Sequence, residues 1–129
     1  MHLVDQQVID MNVLVVDDDR RMVKTTCDIL RVKGYHALPA HSGEEAVESV
    51  RGETLDCVLM DINMPGIDGV EALKRMKGMA PNLPVVLMSA NASFEQTEEA
   101  SRMGALAVLT KPLDIREILC FLACLPGAH

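Results

Sequence analysis

Along this chain, short apolar runs alternate with longer stretches in which apolar residues recur at helical spacing. Residues 13–16, 57–60, 85–88 and 107–109 are apolar runs that end sharply in polar residues or turn formers, which predicts buried strands. Residues 35–40 supply a fifth such segment. Between the first two, residues 20–33 carry Met22, Val23, Cys27, Ile29 and Leu30 at helical spacing, and Gly34 ends that helix as a C-cap would. Ser42 is a helix N-cap with Glu45 three residues on, the spacing of a capping box, and this helix runs to about Arg51. Further helices are predicted over 69–79, 93–103 and 114–125. Five strands separated by helices predict an α/β fold, a doubly wound parallel sheet covered on both faces.

Composition narrows the function. At 129 residues, with 49% hydrophobic residues, the chain suits one ordered domain with its own core. No apolar stretch approaches the roughly 20 residues needed to cross a bilayer, and the start lacks a signal-peptide pattern. A cytosolic location is therefore expected, with Cys27, Cys57, Cys120 and Cys124 as reduced thiols; their spacing fits neither zinc nor thioredoxin chemistry. A net charge of −7 and 2% aromatic residues argue against nucleic-acid binding by this chain.

The chemistry lies at the strand ends. The first run finishes at Asp17-Asp18-Asp19, and the run over 57–60 at Asp61, followed by Ile62-Asn63-Met64-Pro65-Gly66-Ile67-Asp68-Gly69. The run over 85–88 ends at Ser89 and that over 107–109 at Thr110-Lys111-Pro112. In an open α/β sheet these C-terminal edges converge where ligands bind. Several carboxylates about 4 Å apart repel by several kcal/mol per pair at an effective dielectric near 20, so the cluster calls for a cation. Oxygen-only ligands favour a hard ion such as Mg²⁺. A metal, an ammonium and a hydroxyl suit a phosphoryl group, and a carboxylate such as Asp61 can act as its nucleophile.

These four motifs, Val-Val-Asp-Asp-Asp, Val-Leu-Met-Asp-Ile-Asn-Met-Pro-Gly-Ile-Asp-Gly, Val-Leu-Met-Ser-Ala and Leu-Thr-Lys-Pro, resemble those of the receiver domains of two-component response regulators. The resemblance covers nearly the whole chain. It implies a five-stranded flavodoxin-like domain over residues 11–126, with an extension over 1–10 and a tail over 127–129. It further implies that Asp61 accepts a phosphoryl group from a histidine kinase or histidine phosphotransfer protein. Asp17 and Asp18 would flank Mg²⁺ with Asp61, Asn63 would offer its main-chain carbonyl, and Ser89 and Lys111 would contact the phosphoryl group. The same resemblance implies a cis bond before Pro112, and a signalling domain that catalyses only its own phosphorylation and dephosphorylation. One position departs from the pattern: where many members carry Tyr or Phe, three residues before the lysine, this chain has Val108.

Plainer roles are expected nearby. Asp19 reads as a helix N-cap, Asp68-Gly69 as a turn and helix start, and the nine Met residues as core filling. Rival functions share the fold. A flavodoxin-like cofactor binder needs a phosphate-cradling loop where this chain has three acids, and an aspartyl-nucleophile phosphatase needs a second acid where Asn63 stands. A degenerate receiver acting only as an interaction module keeps the fold without regulated phosphorylation. In the last helix Ile118, Phe121, Leu122 and Leu125 form the core stripe. Leu119, Cys120, Ala123 and Cys124 then face outward, an apolar surface for a second copy or a downstream effector segment.

Overall fold

The computed structural model describes residues 10–125 apart from Asp68 and Ala92. The elements follow in strict alternation: β1 (Asn12–Val16), α1 (Arg20–Val32), β2 (His36–Ala40), α2 (Gly43–Gly52), β3 (Cys57–Asp61), α3 (Gly69–Met79), β4 (Val85–Ser89), α4 (Phe94–Arg102), β5 (Ala107–Thr110) and α5 (Ile115–Ala123). All pairings are parallel, in the order β2-β1-β3-β4-β5, so the chain reverses its direction of winding beside β1. The expected five-stranded doubly wound sheet is present. Strands β3, β4 and β5 each run one residue further than their apolar runs, taking in Asp61, Ser89 and Thr110.

The sheet divides the core into two layers because successive strand side chains point to opposite faces. Val13, Val15, Leu59, Val86 and Met88 face one side, where α1 and α5 cover them through Val23, Leu30, Ile118 and Leu122. Leu14, Val16, Val58, Met60 and Leu87 face the other, under α2, α3 and α4 through Val47, Leu73, Met76 and Ala100. Strands β3 and β4 are buried along their whole length, which explains why their sequences are continuous rather than alternating.

The helix ends follow the expected chemistry. Asp19, Ser42, Ser93 and Asp114 each accept a hydrogen bond from a main-chain N–H of the first turn they cap. After α1 the chain turns through Gly34 at φ +100°, a left-handed conformation that favours glycine. Helix α5 is shorter than its apolar pattern and is capped at Cys124, with Leu125 buried just beyond it. Its core stripe is as expected: Ile118, Leu122 and Leu125 are buried, Phe121 is half-buried, and Cys120, Ala123 and Cys124 are exposed. Leu119 is the exception, half-buried against the core rather than turned fully outward. The extension over 1–10, apart from Asp10, the tail over 127–129 and Asp68 lie outside the described residues.

The free edge of β2 is closed chemically. His36 N–H donates to Met11 O, and Ala40 O accepts from Asp17 N–H, so alternate residues of β2 bond β1. Ala37 and Pro39 therefore turn their main-chain groups outward. Pro39 has no N–H to present, and the guanidinium of Arg31 on α1 donates to Ala37 O at 2.7 Å.

Candidate functional site

The C-terminal ends of β1, β3 and β5 bring together one ammonium and three carboxylates. Asp17 and Asp61 are 1% and 6% exposed, whereas Asp18 faces solvent. Carboxylate oxygens of Asp17, Asp18 and Asp61 lie within 4.8 Å of one another, the one group of its kind among the described residues able to hold a metal ion. Lys111 reaches across from the end of β5. Its Nζ is 2.7 Å from Asp17 Oδ2 and 3.2 Å from Asp61 Oδ2, so a single cation bridges both buried acids.

The backbone fixes these side chains from several directions. Asp19 N–H donates to Asp17 Oδ1 at 2.9 Å, and Asn63 N–H donates to Asp61 Oδ1 at 3.2 Å. Each acid thus has one oxygen held by the following turn and the other turned to Lys111. Lys111 N–H donates to Ser89 O, which ties the end of β5 to the end of β4, and the Lys111–Pro112 bond is cis. Ser89 is fully buried, and its Oγ accepts from Asn91 N–H at 3.2 Å. Its side chain sits at the same sheet edge without a hydrogen bond to the acids or to Lys111.

Gly69 is the helix start that the sequence predicts, and the structure gives it a stricter role as well. A Cβ there would lie 2.6 Å from Ile62 Cα and 2.7 Å from Asp61 O, both main-chain atoms. Gly69 N–H donates to Ile62 O at 2.7 Å, so the start of α3 presses directly on the backbone that carries Asp61. Gly66, at φ +83°, lets the same loop turn beside the carboxylate of Glu44. Val108 is half-buried and packs in the layer under α2, α3 and α4, opposite Leu87 in the strand register.

The electrostatics follow from this geometry. Burial pushes the Asp61 carboxyl above its ordinary value; the Asn63 N–H and the Lys111 charge pull it down, and Asp17 adds to the rise. For Lys111 burial works downward, but the bond to Asp17 and the charges of both acids outweigh it, so the ammonium is held more firmly than usual. The donor set is all oxygen and carries more negative charge than one lysine cancels, which fits a hard divalent cation.

Residues 13–123 match the response regulator receiver domain family. The chain is 42% identical over 105 residues to the transcriptional regulatory protein ZraR of Escherichia coli strain K12, covering 81% of this chain and 24% of that protein. It thus spans about a quarter of the length of the ZraR relatives it matches. It is 37% identical over 106 residues to sporulation initiation phosphotransferase F of Bacillus subtilis strain 168, covering 82% of this chain and 86% of that one. Among solved structures, the CheX-CheY-BeF3-Mg+2 complex of Borrelia burgdorferi superposes with a TM-score of 0.84 at 30% identity, over 94% of this chain and 92% of that one.

Proposed function

This chain belongs to the response regulator receiver domain family, and we propose that it works as a phosphoacceptor whose acceptor residue is Asp61. The donor is a phosphohistidine of a histidine kinase or histidine phosphotransfer protein. An Asp61 carboxylate oxygen attacks the phosphorus, the phosphorus–nitrogen bond breaks, and an acyl phosphate is left on Asp61 as the imidazole departs. Asp17, Asp18, Asp61 and the main-chain carbonyl of Asn63 hold Mg²⁺, which when bound offsets the charge of the acids and of the phosphoryl oxygens. Lys111 turns its ammonium to a phosphoryl oxygen, and the Ser89 hydroxyl donates to another.

The observation that carries this reading is the double ion pair of Lys111. One ammonium spans Asp17 and Asp61 at 2.7 and 3.2 Å, so it is already poised at the oxygen of Asp61 beside which a transferred group would sit. The receiver unit is taken as residues 11–126, with 1–10 as an extension and 127–129 as a tail. It acts in the cytoplasm as a signalling domain, with no separate substrate of its own. Among the described residues no helix is long and apolar enough to cross a membrane. The outer face of α5 is the surface offered to a second copy or to a downstream effector.

Incubation with acetyl phosphate and Mg²⁺, followed by intact mass measurement, tests the reading. Wild-type protein should gain one phosphoryl group, and chelation of the metal or Asp61→Asn should abolish the gain. An adduct that persists in Asp61→Asn would put the nucleophile elsewhere.

A further inference from the structure

We infer that the two exposed thiols of α5, Cys120 and Cys124, form a bidentate site for a soft cation that prefers two ligands in a line, such as Cu(I) or Ag(I). The site stands apart from the acidic cluster and does not rest on the phosphoacceptor reading. Cys124 N–H donates to Cys120 O at 3.2 Å, so the helical frame persists to the cap. The two residues therefore lie one turn apart on one face, with Cβ atoms about 5–6 Å apart. Both are free and exposed.

That spacing selects the chemistry. A disulfide needs Cβ atoms about 3.5–4.5 Å apart, so these thiols do not close on each other while the helix holds. A thiolate–metal bond is about 2.3 Å for zinc, and two bonds of that length in a line span about 4–5 Å, close to the Cβ separation. Zinc itself takes four ligands in structural sites, and no group of three metal-binding side chains forms here among the described residues. Soft thiolates with only two ligands to offer favour Cu(I) over hard ions.

Helices α1, α2, α3 and α4 each carry a basic residue in the last turn, Arg31, Arg51, Lys77 and Arg102, which answers the negative end of the helix dipole. In α5 the last turn has no basic residue; Cys120 stands in that turn and Cys124 is its cap, so no cationic side chain of the turn repels an incoming metal ion. The other cysteines do not compete. Cys27 and Cys57 are each 1% exposed, and burial pushes the Cys57 thiol up to about 12. On binding, each coordinating thiol releases its proton to solvent as a sulfur–metal bond forms, and no electrons are transferred.

Titration with Ag⁺, which avoids redox chemistry, is read by native mass and by the number of thiols still open to an aromatic disulfide reagent. One Ag⁺ should bind per chain and protect two thiols together. Cys120→Ser and Cys124→Ser should each weaken binding by roughly 10²–10⁴-fold, the usual gain from linking two contacts. Both positions are exposed, so thermal unfolding of the metal-free variants should match wild type. Undiminished binding in either single variant, two ions per chain, or protection that survives in the double variant would overturn the site.

Discussion

Replacing Asp61 by asparagine should stabilise the metal-free domain, although it removes the residue on which the proposed function depends. The carboxylate of Asp61 lies within 4.8 Å of those of Asp17 and Asp18. At an effective dielectric near 20, each such repulsion amounts to about 3.5 kcal/mol, while Lys111 at 3.2 Å returns about 5 kcal/mol. Solvent screens the share of the exposed Asp18, so attraction and repulsion nearly cancel. Left over is the desolvation of a carboxylate only 6% exposed, relieved in part by the Asn63 N–H. Asparagine carries no charge to desolvate and leaves Lys111 paired with Asp17. The expected gain is about 1–2 kcal/mol, or about 3–8 °C in melting temperature for a domain of this size. Its pH dependence has a definite sign. The folded-state value for Asp61 is raised, so ionising this group lowers stability as pH climbs from about 4 through the folded value. The gap between variant and wild type should therefore be full at neutral pH and close on acidification. Urea melts in chelator at a series of pH values measure it. A variant less stable than wild type at pH 7, or a gap that ignores pH, would refute the reasoning.

Asp18→Ala should weaken Mg²⁺ binding and slow phosphorylation by acetyl phosphate while leaving the metal-free melting temperature unchanged or raised, because it removes one like charge from the cluster; a fall of many degrees would make the acid structural. Gly69→Ala should cost about 1–3 kcal/mol in denaturant melts and slow phosphorylation as well, since its Cβ meets unyielding backbone around Asp61; equal stability would show that α3 shifts freely. Leu122→Ala, at the centre of the α5 stripe, should cost about 2–5 kcal/mol. Light scattering with and without beryllofluoride tests α5 as a self-association face. A monomer at high concentration in both states, unaffected by Leu119→Glu, would remove the second copy from the list of partners.

The order of elements was legible because each signal is local. Short apolar runs, a period of 3.6, Ser and Asp at helix starts, and Gly34 after α1 all act over a few residues. The identity of the acids at the strand ends was legible for the same reason. What the sequence could not supply is how those ends meet. The sequence set Lys111 at the same sheet edge as the acids, but not its ion pair with Asp17, 94 positions away, across the ends of β3 and β4. The unequal burial of adjacent Asp17 and Asp18 also depends on which side of β1 faces the sheet interior. Likewise the steric demand at Gly69 appears only when the start of α3 is brought onto the Asp61–Ile62 backbone. Helix α5 ends at Ala123, short of the predicted 125, and Leu125 is buried past the cap rather than on a further turn.

The closed edge of β2 bears on how this protein can be kept concentrated in a cell. An open strand is a template on which identical chains add one after another, and the product of such growth is a ribbon rather than a closed complex. A proline that withholds a donor and an arginine that occupies an acceptor interrupt that template at two successive outward positions. Substituting Pro39 by valine would restore the missing donor on a strand-favouring residue. The hazard created would be slow precipitation on storage rather than any loss of fold, a burden that the present sequence avoids on this side of the sheet.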